Sequence, residues 1–316
     1  MAVIVQFARR PDAIRPASNP YLSTRSRGNL GKRAMTRRAN WWQWPTVLSI
    51  DAPVVAVSWQ LLLARVAGVE LGWPAPAVLA LSVWLAYVAD RWIEGWRLDA
   101  DVMRTPRHHF YQRYRWPMAF AWLAAFVVDV MIAFARLSRA DLIGGFVLIA
   151  AVAAYLLSHQ HMHRHQSWRA PKELCVAALL TGGVFVFLTQ TPRISALTSP
   201  VVLFALLCFT NCALISVWES DVDRAHGQTS LALDDVGNAR LIRQLPWMIA
   251  VLAVVAAVTS AGAGMQAELA AGASGLLLAV VDRIERAAGW QPARVLADLA
   301  LMTPVAALLL PLVARG

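Results

Sequence analysis

Two pairs of acidic residues are the feature of this 316-residue sequence that most directly indicates chemistry. The first pair is Asp90 and Glu94, and the second is Glu219 and Asp223; in each pair the members are four positions apart. On an α-helix this spacing places both carboxylates on one face, with Cβ atoms about 5–6 Å apart. Hard divalent cations such as Mg²⁺ take oxygen ligands and commonly join one or two carboxylates to a phosphate. The two pairs together therefore predict a magnesium site with these four residues as metal ligands and catalytic residues.

Arginines accompany both acidic pairs. A guanidinium group is planar and permanently charged, and it binds phosphate oxygens two at a time. Acids and arginines in one pocket are consistent with a metal-bound diphosphate that lies between them. The candidate diphosphate-binding arginines are Arg91, Arg97, Arg104, Arg107 and Arg224. A plain interfacial ion pair is the ordinary explanation for either acidic pair alone, but two pairs at equivalent places favour the metal site.

The composition indicates that membrane helices must position these residues. Apolar residues make up 58% of the chain, charged residues only 15%, and the mean hydropathy is +0.51. An average soluble domain has roughly 25% charged residues. We therefore predict an all-α, polytopic integral membrane protein and exclude the soluble, disordered and disulfide-rich classes.

Windows of about 20 apolar residues predict nine membrane spans. They lie near 48–70, 74–93, 117–135, 141–158, 173–190, 199–218, 246–262, 267–282 and 295–313. The acidic pairs fall at the ends of the second and sixth spans. Residues 1–45 are basic and polar, so we predict a disordered cytosolic arm there and a membrane domain over 46–316. Gly272 and Gly275 are expected to permit close packing of neighbouring helices.

The positive charges indicate how the spans are oriented. If the N-terminus is inside, 24 of the 29 lysines and arginines fall in inner segments and four in outer segments. This distribution follows the positive-inside rule. It predicts a cytoplasmic N-terminus and an external C-terminus, in a bacterial plasma (inner) membrane. The net charge of +10 is thus explained by topology, and no nucleic acid partner is expected.

The two acidic segments resemble the aspartate-rich motifs of the UbiA-type intramembrane prenyltransferases. In that family the first motif reads NDxxDxxxD after the second helix, and the second reads DxxxDxxxG after the sixth. The second motif is matched at Glu219 and Asp223, with Glu in place of the first Asp. In the first motif Asp90 matches, whereas Ala89 and Ile93 stand where the family has Asn and Asp.

The resemblance implies a bundle of nine transmembrane helices around a chamber open near the cytosolic face. It also implies Mg²⁺-dependent transfer of an isoprenyl group from a prenyl diphosphate to a small lipophilic or aromatic acceptor, in contact with membrane lipid. Tyr155 and His159 stand where the family tends to have Tyr-x-x-x-Lys, which adds them to the candidate diphosphate-binding residues. Lys172, which opens the fifth span beside Glu173 as its expected partner, is included in the same set.

The incomplete first motif leaves an alternative open, namely a non-catalytic UbiA-like protein with a binding or scaffolding role. A secondary transporter is disfavoured because its ionisable groups are expected near mid-membrane, whereas these acids lie at the inner ends of spans. Histidines 159, 161, 163 and 165 are interpreted as a solvated loop, as phosphate contacts or as a metal site. Arg65 and Asp129 lie inside spans, where an ionisable side chain needs a partner, and we expect them to pair.

Overall fold

The computed structural model describes residues 39–97, 105–161, 172–220, 236–260, 262 and 264–313. Within these ranges the regular structure is helical and contains no strand, which confirms the predicted all-α class. Helices suit a lipid environment because each satisfies its backbone hydrogen bonds within its own segment. The α-helices are α1 (Trp44–Val47), α2 (Asp51–Ala67), α3 (Pro74–Arg97), α4 (Pro106–Arg113), α5 (Arg115–Arg136), α6 (Arg139–His161), α7 (Lys172–Phe185), α8 (Ile194–Trp218), α9 (Val236–Ile242), α10 (Leu245–Thr259), α11 (Met265–Ala288), α12 (Trp290–Ala300) and α13 (Thr303–Val313). Short 3-10 turns cover Trp41–Gln43 and Val186–Leu188.

Helices α2 and α8 form the centre of the bundle. They pack on each other, and each also packs on several other helices. Trp59 of α2 stacks on Phe204 of α8 with ring centroids 4.8 Å apart, and both side chains are fully buried. The indole Nε1 of Trp59 donates to the carbonyl of Leu301 at 2.9 Å. Leu301 lies at the break between α12 and α13, where carbonyl groups lose their intrahelical partners. Trp59 therefore satisfies one backbone group that the break exposes.

Close packing of α10 on α11 depends on the predicted glycines. A Cβ atom on Gly275 would lie 2.9 Å from the carbonyl oxygen of Pro246 and 3.2 Å from the amide nitrogen of Ala250. A Cβ atom on Gly272 would lie 3.3 Å from the Cβ atom of Ala253. The backbones approach one another at a distance that only small residues permit, as the sequence predicts.

The predicted number of nine spans is not confirmed. Among the described residues, six helices are long and apolar enough to cross a membrane, or seven if the pair Trp41–Val47 and Asp51–Ala67, bent by 71°, forms one span. Helix α7 has 14 residues and is about 21 Å long, less than the roughly 30 Å of a hydrocarbon core. Helix α11 has 24 residues, but charged side chains lie near both of its ends. They are Glu268, Asp282, Arg283, Glu285 and Arg286.

The predicted ion pair between Arg65 and Asp129 is wrong. Asp129 on α5 accepts a hydrogen bond from the hydroxyl of Ser82 on α3 at 2.8 Å. Arg65 instead donates through Nη1 to the carbonyl of Ala307 on α13 at 3.4 Å. Helix α3 packs against both α2 and α5, so its serine is the polar group that reaches the carboxylate.

The predicted N-terminal arm falls largely outside the described residues, which begin at residue 39. The assignment of residues 1–45 to an arm and of 46–316 to a membrane domain stays a prediction. Residues 162–171, which include two of the four clustered histidines, also lie outside the described part of the chain.

Candidate functional site

Arg107 is held in place by the short helix α4. The preceding Thr105 has an extended backbone, with φ −124° and ψ 148°, and Pro106 occupies the first turn, where its missing N–H is not needed. His108 and Tyr111 on the same helix are buried. Burial raises the pKa of Tyr111, which therefore keeps its proton at neutral pH. The buried side chains hold one face of α4 against the rest of the protein. The Arg107 side chain on the same helix is only 12% exposed.

Glu219 immediately follows α8 and is buried, with 4% of its surface exposed. The C-terminal end of a helix carries partial negative charge, so a buried carboxylate there requires cations. Arg107 donates from Nη2 to Oε2 of Glu219 at 3.2 Å. Arg294 of α12 donates from Nη1 to Oε1. Each carboxylate oxygen thus has its own guanidinium group.

These cations determine the protonation state of Glu219. Burial raises the pKa of Glu219, but the charges of Arg107 and Arg294, together with the hydrogen bond from Arg294, lower it by more, to about 2. The charge of Arg91 acts in the same direction. The carboxylate is therefore ionised at neutral pH. Its two contacting arginines outnumber it, and this cluster of described side chains carries net positive charge, which suits an anion.

The three clustered side chains line a cavity of about 40 Å³ at the end of the bundle where α8 finishes, here called the Glu219 end. A space of this size holds a water molecule or two but no diphosphate. Nε of Arg294 is buried and has no hydrogen-bond partner among the described residues, so this guanidinium retains a donor. The cavity must therefore widen before an anion of diphosphate size enters.

Trp218, the residue before Glu219, anchors the C-terminal end of α8 to α11. Its Nε1 donates to Oδ1 of Asp282 on α11 at 3.0 Å. Asp282 is buried and forms ion pairs with Arg243 and with Arg286, the latter at 3.1 Å. This network ties α8 to α11 and holds the backbone from which Glu219 projects.

The other predicted site residues lie on α3, α6 and α7 or outside the described residues. Asp90 and Arg91 are half-buried near the end of α3, and the charge of Arg91 reaches Glu219. Tyr155 is half-buried on α6, which packs chiefly on α7, and Lys172 is half-buried at the start of α7. Three predicted residues lie on described helix backbone, with side chains outside the described part: Glu94, Arg97 and His159. Three lie wholly outside the described residues: Arg104, Asp223 and Arg224.

The predicted Mg²⁺ ligands are only partly described. Among the described residues, no three His, Cys, Asp or Glu side chains come together to hold a metal. Asp90 and Glu219 have the oxygen donors that Mg²⁺ prefers. Both oxygens of Glu219 face arginines, however, so a metal would have to replace at least one of these contacts. The magnesium site therefore stays a prediction.

Two ionisable residues of structural interest, one of them in contact with Glu219, were not predicted as site residues. Arg294 was counted only as an inner positive charge, yet it contacts Glu219 directly. Glu173 was expected to pair with Lys172, but it is 2% exposed, and neither carboxylate oxygen has a hydrogen-bond partner among the described residues. A usable signal was present, since both are ionisable residues directly at the start of an apolar window.

No family model matches the chain, and no curated protein sequence matches it. Among solved structures, the chain is similar to the apo structure of a UbiA homolog from Aeropyrum pernix K1, with a TM-score of 0.58 and 16% sequence identity. The likeness covers 83% of this chain and 98% of that chain. At this level of identity the likeness is one of architecture. The chain therefore has the fold of a UbiA homolog, as its acidic motifs predict.

Proposed function

We propose that this protein transfers an isoprenyl group from a prenyl diphosphate to a small lipophilic or aromatic acceptor within the membrane. The observation that carries this proposal is the buried cluster of Arg107, Glu219 and Arg294 in a chain with the fold of a UbiA homolog. A diphosphate offers more acceptor oxygens and more negative charge than one carboxylate, so it competes well for both guanidinium groups. In this proposal the diphosphate replaces Glu219 as the hydrogen-bond partner of Arg107 and Arg294.

Each part of the cluster has a chemical task in this proposal. Arg107 and Arg294 bind the diphosphate and stabilise the charge that develops on it as the bond to the isoprenyl carbon breaks. The apolar bundle excludes water from the resulting allylic cation. Further candidate diphosphate contacts are Arg91, Arg97, Arg104, Arg224, Tyr155, His159 and Lys172.

Mg²⁺ is the metal that the predicted ligand set suits. Asp90, Glu94, Glu219 and Asp223 would hold it. When bound, it would neutralise the diphosphate and make it a better leaving group. The carboxylate of Glu219 becomes free to bind the metal once Arg107 and Arg294 contact the diphosphate instead.

The positive-inside distribution of lysine and arginine supports a cytoplasmic position for the Glu219 end. A water-soluble diphosphate head would then reach the site from the cytoplasm, while its isoprenyl chain stays in the bundle. We propose a bacterial plasma membrane as the location, with the N-terminus inside and the C-terminus outside.

A non-catalytic binding or scaffolding protein is the second candidate function. It is favoured by the full engagement of Glu219 with two arginines and by the cavity of only about 40 Å³. In such a protein the cluster would act in binding or in stability, without cleavage of a diphosphate. The two candidates therefore differ in whether an offered prenyl diphosphate is cleaved.

The test is Mg²⁺-dependent diphosphate release by the purified protein in lipid nanodiscs. Geranyl, farnesyl and geranylgeranyl diphosphate are offered with a pool of lipophilic and aromatic acceptors. We expect release by the wild type, and a loss of about 100-fold or more in Arg294→Gln and in the double variant Asp90→Asn/Asp223→Asn. The matched control is Arg283→Gln, since this arginine lies over the ring of Trp247, away from the cluster.

The outcomes separate the two candidate functions. Binding of a prenyl diphosphate without release, in every acceptor pool, favours the non-catalytic protein. Release that persists in Arg294→Gln contradicts the role of the cluster. Failure of any prenyl diphosphate to bind contradicts prenyl transfer and leaves only the scaffolding role, in which the cluster acts in stability. The melting temperature of each variant is measured alongside, so that loss of folding is not mistaken for loss of binding.

A further inference from the structure

A groove of about 600 Å³ lies between α8, α10 and the start of α11, at the end of the bundle opposite Glu219. The lining reaches along α8 as far as Leu206, so about 20 Å of helix separates the groove from Glu219. One wall of the groove is apolar and contains Val202, Leu206 and Leu252, whose side chains are exposed on the outside of the bundle. In a protein with apolar membrane helices, such an exposed wall is available to hydrocarbon chains.

The groove changes from apolar to polar towards the start of α11. Its polar lining consists of the hydroxyl groups of Ser195, Thr198, Ser199, Thr259 and Ser260. The hydroxyls of Thr259 and Ser260 already donate to backbone carbonyls of their own helix. Their remaining lone pairs can only accept. This part of the groove therefore favours a ligand that donates hydrogen bonds.

Glu268 supplies a negative charge at the polar end of the groove. It lines the groove with 0% of its surface exposed, and neither carboxylate oxygen has a hydrogen-bond partner among the described residues. It lies in the first turn of α11, where the helix dipole stabilises an anion. Among the described residues that line the groove, none is Lys, Arg or His. A buried carboxylate without a counter-ion is costly, so this end of the groove is suited to a cation.

We propose that this groove binds one phospholipid with a primary ammonium head group, that is, an ethanolamine lipid. The ammonium group contacts the hydroxyls and reaches Glu268 when this side chain, buried in the structure, turns towards the groove, and an acyl chain follows Val202, Leu206 and Leu252. A primary ammonium group has three N–H donors and no acceptor, which matches a carboxylate together with the accepting hydroxyls of Thr259 and Ser260.

Other common head groups match the groove less well. A choline head group has no N–H donor and is recognised by aromatic rings, and the lining within the described part of the chain contains no aromatic residue. A glycerol head group carries no positive charge for Glu268. The chemistry of the lining therefore selects the ethanolamine head group among these three lipids.

The test is lipid retention measured by native mass spectrometry on the full-length protein. Delipidated protein is offered equal amounts of phosphatidylethanolamine, phosphatidylcholine and phosphatidylglycerol with identical acyl chains. We expect one retained ethanolamine lipid with a preference of about 10-fold, the factor that corresponds to 1.4 kcal/mol. Glu268→Gln should abolish the preference. The matched control is Glu70→Gln, an exposed glutamate in the loop that follows α2 at the same end.

A second variant tests the apolar wall without touching the carboxylate. Val202→Trp fills the groove and should reduce retention of the lipid, whereas Val251→Trp, on an exposed residue outside the groove, should not. Equal retention of the three lipids by the wild type, or an unchanged preference in Glu268→Gln, would overturn the proposal. Diphosphate release is expected to be unaffected by Glu268→Gln, which separates this inference from the proposed function.

Discussion

The two ends of the bundle place a buried glutamate in opposite surroundings. Glu219 follows a helix C-terminus, where the helix dipole opposes its charge, and two guanidinium groups contact it. Glu268 lies in a helix N-terminal turn, where the dipole favours its charge, and no described side chain pairs with it. The position on the helix thus decides whether the acid needs cations for stability. This contrast underlies the anion binding proposed for one end and the cation binding proposed for the other.

The largest effect should come from removing one cation at the Glu219 end. Arg294→Leu leaves a buried carboxylate with a single arginine, and we expect the free energy of unfolding to fall by about 3–5 kcal/mol. Thermal unfolding in nanodiscs measures this loss. The double variant Arg294→Leu/Glu219→Leu should recover only part of it, because Arg107, itself 12% exposed, then loses the carboxylate that it contacts. An unchanged melting temperature in the single variant would show that the ion pair contributes nothing.

The next largest effect is expected in the pH dependence of stability that Glu219 causes. The folded-state pKa of Glu219 is about 2, below the roughly 4.3 of an unfolded chain. Its stabilisation is therefore complete above about pH 4.5 and is lost as the pH falls towards 2. The difference in stability between the wild type and Glu219→Gln should be on the order of 3 kcal/mol at neutral pH. It should stay constant down to pH 5, and a decline between pH 7 and 6 would contradict the assignment.

A smaller effect is expected where α11 connects the two ends. Gly275→Ala places a methyl group 2.9 Å from the backbone oxygen of Pro246, so α10 and α11 must separate, at a cost of about 1–3 kcal/mol. The matched control is Gly145→Ala on α6, where a methyl group would meet nothing within 4 Å. Equal melting temperatures for the two variants would argue against tight packing of this helix pair.

The smallest effect is expected for Glu268→Gln, at the end of the bundle opposite Glu219. Glu268→Gln removes a charge that lacks a counter-ion, so its stability in lipid without ethanolamine head groups should stay within about 1 kcal/mol of the wild type or rise. Thermal unfolding of this variant beside Glu219→Gln provides the measurement. A loss as large as that of Glu219→Gln would mean that Glu268 has a stabilising partner.

The sequence predicted the residues of the Glu219 end better than their contacts. Motif spacing indicated that Arg107 and Glu219 belong to one site, and the structure joins them across 112 positions. It did not indicate Arg294, because hydropathy locates a helix along the chain but not which helix lies beside it. The failure of the Arg65–Asp129 pair has the same origin, since equal depth in a membrane does not imply adjacency. Hydropathy windows also overlooked the 71° bend after Val47 and the shortness of α7.

The ion cluster at Glu219 also has a consequence for how the protein is made. Arg107 precedes Glu219 by 112 residues, whereas Arg294 follows it by 75. During synthesis, α8 is therefore complete well before its second cation has been translated. Until α12 is made, the acid at the end of α8 has one guanidinium partner at most, and one of its buried oxygens lacks the donor that it has in the folded protein. The final helices thus complete the hydrogen bonding of this carboxylate, and a chain cut short before residue 294 is expected to be a preferred target for membrane quality control.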